Sequence, residues 1–260
     1  MAHIEIHESL VLSFDMGLRN LSYCLIEWND ESVHIRDWCV ANVVGEKNAK
    51  TMSIEQASIM LLDFLRDRFS EDLGNETVVA IEQQPVGRQV TSNVRMKVLS
   101  HVVHTFFYLR GYSVRFVSPK RKLEGLEQSK AKANKERYAH NKRVAVEHCN
   151  TVIAGQDPMW ADFFVALPKK DDAADSLLQG LVVVEDSRKA KQKEAAKAAK
   201  VAERERKRLE KEAAKEARRL AREAKKEQKR KATEEKAAKK AKKQKTGLSC
   251  HDVVMSIPVI

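Results

Sequence analysis

The sequence predicts an α/β fold with a mixed sheet. Short runs at residues 9–16, 77–82 and 112–119 have strand patterns, and TVVAIE at residues 77–82 is rich in β-branched residues, as buried strands are. Residues 54–69 and 93–110 instead place apolar side chains at helical spacing. Because strand and helix patterns alternate along the chain, helices are expected to layer against the sheet.

The first three strands are predicted to form an antiparallel meander. Residues 9–16 read SLVLSFDM, an apolar run that closes on Asp15, and Gly17 and Asn20 mark a turn. The apolar segment LSYCLIEW then returns as a second strand. Residues 31–44 alternate well enough to be a third.

Helices and strands alternate after the meander. Residues 54–69 form a first amphipathic helix, and TVVAIE at residues 77–82 is a buried strand with Glu82 at its carboxyl end. Residues 93–110 predict a second helix with Asn93 as a plausible N-cap. The strand at residues 112–119 stops at Pro119.

The middle of the chain is basic and carries few apolar side chains. Residues 115–143 hold ten Lys or Arg against three Glu, which fits either a solvated loop or helix or a nucleic-acid contact. A helix is predicted from about Asn141 to Val152, followed by a loop around residues 155–158. From Asp171 the pattern turns helical again.

The net charge of +11 resides in a C-terminal extension. Residues 186–245 hold 26 Lys or Arg against 11 Asp or Glu, a net +15, which leaves −4 for the rest. We therefore divide the chain into a catalytic domain at 1–187, a basic extension at 188–247 and an apolar end at 248–260. The extension is predicted to be a solvent-exposed helix or disordered, without a coiled-coil seam or a packed core.

Cysteine usage and the N-terminus favour an intracellular protein that does not enter a membrane. The cysteines form no CxxC pair and no zinc-spaced cluster, so we expect reduced thiols. The first residues, MAHIEIHESLVL, resemble neither a secretion signal nor a transit peptide. No apolar run reaches the roughly 20 residues that span a bilayer.

Acidic residues at a few positions suggest a metal site. Asp15 and Glu82 each end a predicted strand, while Asp172 and Asp175 lie three apart on one face of a predicted helix. Taken singly, each acid could be a turn residue, a strand end or a helix cap. If they converge, a cation such as Mg²⁺ is implied, because clustered carboxylates resist joint ionisation.

Four segments in this order, DMGLRNLSYCLIE, VVAIEQQP, VSPKRKL and DDAADSLLQG, carry a resemblance to a known family. Over residues 9–185 the chain resembles the RuvC-type Holliday junction resolvases of the RNase H-like superfamily, most of all those of poxviruses and other large DNA viruses. The resemblance implies a five-stranded RNase H-like domain. It also implies a homodimer that cuts four-way DNA junctions by symmetrical nicking, with two Mg²⁺ ions per site and Mn²⁺ as a substitute.

The resemblance also assigns roles to the acids. Asp15 would bridge both metals, Glu82 would be the second strand acid, and Asp172 and Asp175 would be the helical pair. Asp171 is excluded, since the family's spacing falls on the next residue.

The resemblance further implies a lysine near the scissile phosphate or the nucleophilic water. Lys142 fits best, because it lies about thirty residues before Asp172, and Lys120 is the alternative. A surface lysine in a basic stretch would explain either residue equally. DNA contacts are predicted for basic residues near these segments: Arg19, Arg88, Lys120, Arg121 and Lys122.

The basic extension departs from the family and is interpreted separately. It could add salt-dependent affinity for DNA, serve as a bipartite nuclear-import signal recognised by a receptor, or remain a flexible appendage. The host cytoplasm and nucleus both stay open. Processing of concatemeric viral DNA is the expected role. The alternatives are a nuclease for other branched DNA or RNA/DNA hybrids, and a non-catalytic basic DNA-binding protein.

Overall fold

A computed structural model describes residues 9–49, 51–74, 76–84, 91–124, 126 and 134–247. The chain divides after Lys191 into two compact units. The sequence alone placed this boundary at residue 187. No helix among the described residues is both long and apolar enough to cross a membrane.

The first unit contains a five-stranded mixed sheet in the order β3-β2-β1-β4-β5. β1, β2 and β3 form an antiparallel meander, and β4 and β5 run parallel to β1. This topology confirms the predicted RNase H-like sheet. The elements are β1 Ser9–Asp15, β2 Leu21–Trp28, β3 Val33–Ala41, α1 Ile54–Arg68, β4 Val78–Glu82, α2 Thr91–Leu109, β5 Ser113–Val117, a 3₁₀ turn Pro119–Leu123, α3 Asn134–Ile153, α4 Pro158–Ala166 and α5 Asp171–Gly247.

The pleat of β1 and β4 decides which side chains face α5. Leu12 and Phe14 of β1 pack into the core under α1 and α2, whereas Val11 packs into the opposite core. Because side chains alternate along a strand, Asp15 shares the face of Val11. Phe14 pairs with Ile81 across the parallel ladder, so Asp15 and Glu82 follow side by side at the same sheet edge.

Each face of the sheet is covered by helices. Residues of α1 and α2 fill one hydrophobic core, which includes Leu61, Leu65, Leu99, Val103 and Phe107. Residues of α3, α4 and the first turns of α5 fill the other, which includes Cys149, Ile153, Phe164, Ala173 and Leu177. The sheet therefore lies between two helical layers, and the acidic edge belongs to the layer that contains α5.

The first turns of α5 lie unusually close to the sheet. A Cβ at Gly180 would lie 2.5 Å from Cδ1 of Ile26, so a larger residue would require the buried Ile26 side chain to shift. The Ser13 hydroxyl donates to the Ser176 carbonyl, and the Ser22 and Ser176 hydroxyls are 2.7 Å apart. These buried bonds fix the turn of α5 that carries the acidic residues.

The structure corrects three sequence predictions in the helices. α3 begins at Asn134 rather than near Asn141. The sequence predicted a loop around residues 155–158 and assigned no element to the segment after it, but α4 is a helix there. Asp157 caps it by accepting a hydrogen bond from the Met159 amide, and Pro158 occupies its first turn. Aspartate followed by proline is a typical helix start. Asn93 lies inside α2, which begins at Thr91, and is therefore not its N-cap.

The second unit continues α5 as a helix to Gly247. Every side chain of residues 192–240 is exposed. Ion pairs one turn apart, such as Lys207 with Glu203 at 2.6 Å, run along it. These observations confirm the predicted solvent-exposed helix over the described part of the extension. Residues 248–260 lie outside the described residues.

Candidate active site

Three of the predicted acids converge on one lysine. The Lys122 ammonium lies 3.1 Å from Glu82 Oε1, 3.2 Å from Asp175 Oδ2 and 3.9 Å from Asp15 Oδ1. The Lys122 side chain is only 4% exposed, whereas the Asp175 side chain is 32% exposed. The acid cluster, as we call Asp15, Glu82, Asp175 and Lys122, is therefore buried on one side and open on the other.

Gln179 fastens the acid cluster's two strands to α5. Its side-chain amide donates to the Phe14 carbonyl at 3.1 Å and to the Ala80 carbonyl at 3.2 Å. Phe14 immediately precedes Asp15, and Ala80 is two residues before Glu82. Because Gln179 is fully buried and lies one turn after Asp175, it holds all three acids in register.

A hydrogen bond couples the carboxyl groups of Asp15 and Glu82. Burial raises the pKa of Asp15 well above its ordinary value, while Lys122 opposes that rise and the hydrogen bond with Glu82 adds to it. Burial would also raise the pKa of Glu82, but hydrogen bonds from Asp15 and Lys122 outweigh burial and lower it. The two pKa values therefore move in opposite directions, up for Asp15 and down for Glu82.

Asp175 and Lys122 complete the charge balance. Burial raises the pKa of Asp175 against the pull of Lys122. Burial disfavours the charged form of Lys122, yet the surrounding acids outweigh it and raise the pKa of the lysine. Lys122 is therefore a permanent ammonium among the carboxylates.

The other helical acids are held by different lysines. Asp172 accepts from Lys169 at 2.6 Å, and no contact joins its carboxylate to the acid cluster. Asp171 pairs with Lys142 and lies 3.4 Å from Lys169. Its charge raises the pKa of Asp175, as expected for residues four apart on a helix. Asp171, excluded on spacing, thus lies on the Asp175 side of α5, and a ligand role for Asp172 stays a prediction.

Lys122 is the lysine that contacts Asp15, Glu82 and Asp175. The sequence instead favoured Lys142 as the lysine of the site, with Lys120 as the alternative. Lys142 Nζ pairs with Asp171 and lies 4.8 Å from the Tyr138 ring centroid. Lys120 is exposed. Pro119, at the first position of the 3₁₀ turn, is a sequence signal for the placement of Lys122. Residues three apart stack in 3₁₀ geometry, so the turn returns Lys122 toward the end of β5.

An open cavity of about 800 Å³ leads to the acid cluster. Glu82, Asp175 and Lys122 lie in its wall. The remaining lining includes several basic or aromatic side chains: Lys120, Arg137, Tyr138 and Lys142. The basic side chains of this cavity would attract a negatively charged phosphodiester, and the acids in the same wall would attract cations.

The predicted DNA-contact residues separate in the structure. Arg19 is exposed and donates to the Lys47 carbonyl at 3.4 Å. Arg121 instead binds Asp186 through two bonds of 2.7 and 2.9 Å. Lys120 lines the cavity and Lys122 is buried in the acid cluster, while Arg88 lies outside the described residues.

The residues of the acid cluster fit a hard divalent cation. Among the described residues, no group of three or more His, Cys, Asp and Glu side chains is already gathered as a metal site. In the acid cluster, the Lys122 ammonium contacts three carboxylates that would otherwise repel one another. Carboxylate oxygens beside a cavity are the donors that Mg²⁺ and Mn²⁺ prefer.

The sheet order and the helices on both faces define the class of the domain, which is an RNase H-like fold. Residues 9–186 match the family described as Poxvirus A22 protein, and the chain belongs to this family. It is the poxvirus Holliday junction resolvase family, so the chain is a Holliday junction resolving nuclease.

Solved structures of similar proteins include two resolvases. The yeast mitochondrial Holliday junction resolvase Ydc2 is 23% identical over 67% of this chain and 77% of its own, with a TM-score of 0.43. Thermus thermophilus RuvC in complex with Holliday junction substrate is 18% identical over 67% of this chain and 91% of its own, with a TM-score of 0.40. No curated protein sequence matches the chain.

Proposed function

We propose that the acid cluster is the centre at which this protein hydrolyses phosphodiester bonds in four-way DNA junctions. The convergence of Asp15, Glu82 and Asp175 at the end of a basic cavity carries the proposal. The expected setting is the processing of branched and concatemeric viral DNA.

The proposed cofactor is a pair of Mg²⁺ ions, for which Mn²⁺ would substitute. Asp15, Glu82 and Asp175 would hold them, and Asp172 would join if Lys169 releases it. When bound, such ions stabilise the attacking and leaving oxygens of an in-line phosphoryl displacement. Gln179 keeps the strand acids and α5 in register throughout.

The basic walls of the cavity bind and orient the DNA backbone in this proposal. Lys120, Arg137 and Lys142 line the approach to Glu82 and Asp175, so phosphates entering it meet positive charge first. Lys122 donates to Glu82 and Asp175 and holds both carboxylates toward the cavity. The lysine therefore limits the mutual repulsion of the acids until substrate and ions arrive.

The proposed assembly is a homodimer whose subunits meet through α1 and α2. These helices expose large apolar side chains, among them Ile59, Leu62, Val94, Val98, Tyr108 and Leu109. Leu62, Val98 and Leu109 line one apolar groove, and exposed apolar surface of this kind usually marks an interface. Since α1 and α2 cover the face of the sheet opposite α5, this contact would leave both acid clusters open for paired nicks.

The test is cleavage of a synthetic four-way junction by the full chain with Mg²⁺, read as two nicked duplexes. Asp15→Asn, Glu82→Gln and Asp175→Asn should each abolish cutting and leave junction binding intact. Asp162→Asn, at an exposed position of α4, is the matched control and should cut normally. Cutting by the cluster variants would refute the site. Faster cutting of flaps or RNA/DNA hybrids than of junctions would refute the substrate.

A further inference from the structure

Arg121 is bound in a geometry that gives it a different role from DNA contact. Its guanidinium donates to both carboxylate oxygens of Asp186, at 2.7 and 2.9 Å, and to Glu124 at 3.1 Å. Such a two-bond pair fixes the direction of the arginine as well as its distance. Arg115 of β5 also approaches Asp186, at 3.9 Å. Asp186 therefore ties β5 and the 3₁₀ turn to α5.

Asp186 and Asp175 lie on the same face of α5. They are eleven residues apart, which is about three helical turns and a rise of roughly 16 Å. Asp186 binds Arg121 and Asp175 binds Lys122, the next residue in the chain. The 3₁₀ turn is thus attached to one face of α5 at two points that differ by three turns.

Lys122 needs this attachment because its own turn is short. The 3₁₀ turn spans five residues, and such turns have poorer hydrogen-bond geometry than an α-helix. An extended lysine held at 4% exposure also loses much rotamer freedom. A turn that could pivot would carry the ammonium away from Glu82 and Asp175.

We propose that Arg121 and Asp186 are positioning residues, whose ion pair locks the 3₁₀ turn against α5 so that the Lys122 ammonium stays within the acid cluster. The proposal rests on the proposed function of that cluster. It assigns Arg121 to the architecture of the site, and DNA contact is the competing assignment.

The experiment compares Asp186→Asn, Arg121→Gln and the reversed pair Arg121→Asp with Asp186→Arg in the full chain. Single-turnover cleavage with Mg²⁺ and junction affinity in EDTA are measured for each variant. Both single variants should cut between about tenfold and 100-fold more slowly, as misplacement of a site group does, with unchanged affinity. The reversed pair should recover most of the lost rate.

DNA contact by Arg121 predicts the opposite pattern. Asp186→Asn would then free the arginine and keep or raise junction affinity at an unchanged cleavage rate. Arg121→Gln would weaken binding, and the reversed pair would not recover. Any of these outcomes overturns the proposal.

A double-mutant cycle with Lys122→Gln separates positioning from general loss of structure. If Asp186 acts through Lys122, adding Asp186→Asn to Lys122→Gln should slow cleavage no further. Additive losses would overturn the proposal. Thermal melting checks folding, and Asp162→Asn, at an exposed position of α4, is the control. If the wild-type chain does not cleave junctions, the proposed function is refuted. If Asp186→Asn cleaves normally, only the positioning role of Arg121 and Asp186 is refuted.

Discussion

Replacing Lys122 with methionine removes the one ammonium that contacts Asp15, Glu82 and Asp175 and preserves most of the side-chain volume. Removing one partner of a buried ion pair costs about 3 to 5 kcal/mol. The lower end applies here, because Asp175 is partly exposed. In EDTA at neutral pH we therefore expect the variant to lose about 3 kcal/mol of unfolding free energy.

That loss converts to a melting temperature lower by roughly 6 to 12 °C for a domain of this size. Mg²⁺ should stabilise the variant more than the wild type, because a bound cation replaces the missing charge. Differential scanning calorimetry in EDTA and in Mg²⁺ measures both effects. Lys47→Met, at an exposed loop position after β3, is the control and should melt like the wild type.

The pH dependence of this loss has a definite sign. The folded-state pKa of Glu82 is depressed, so the stability it contributes is present above its ordinary pKa and disappears as pH falls through the folded value. The penalty of Lys122→Met should therefore shrink on acidification. A variant that melts at the wild-type temperature in EDTA, or a penalty that grows at low pH, would refute the reasoning.

The remaining predictions concern stability, assembly and DNA affinity. Asp15→Asn should raise the melting temperature in EDTA at neutral pH. Burial raises the pKa of folded Asp15, so burying this residue destabilises the fold increasingly as pH rises from its unfolded-state pKa to its folded-state pKa. The gain in melting temperature from Asp15→Asn should therefore be larger at neutral than at acid pH, and the reverse order would contradict the reasoning. Leu109→Asp, at a 77% exposed position, should produce a folded monomer in sedimentation that makes unpaired nicks. Deleting residues 192–260 should reduce the slope of log binding constant against log salt concentration by about one unit per lost phosphate contact. Cleavage should persist at low salt. An unchanged slope would show that the extension does not contact DNA.

The fold was predictable because its signals are local. Alternation and β-branched runs identified all five strands, and TVVAIE placed Glu82 at a strand end without any knowledge of neighbours. α4 is short and rich in aromatic residues, so only the helix-start signal of Asp157 and Pro158 distinguishes it from a loop. The start of α3 was missed because it lies in a polar, basic segment whose helical face buries little.

Asp15 and Glu82 follow from strand ends that parallel pairing must bring together, whereas the carboxylate of Asp172 pairs with Lys169. The roles of Asp172 and Lys142 stay predictions. The contact of Lys122 with the acids depends on the attachment of the 3₁₀ turn to α5, which the Pro119 start signal alone does not determine. The pairing of Lys142 with Asp171 likewise depends on how α3 approaches α5, which no spacing encodes.

The charge balance of the acid cluster explains how these acids can be buried before any cation binds. The Lys122 ammonium contacts Asp15, Glu82 and Asp175, and a hydrogen bond links Asp15 with Glu82, so the mutual repulsion of three buried carboxyl groups is reduced. Burial raises the pKa of Asp15 and of Asp175. Because a carboxylate must lose its proton to bind a metal, metal binding by the cluster should tighten as pH rises.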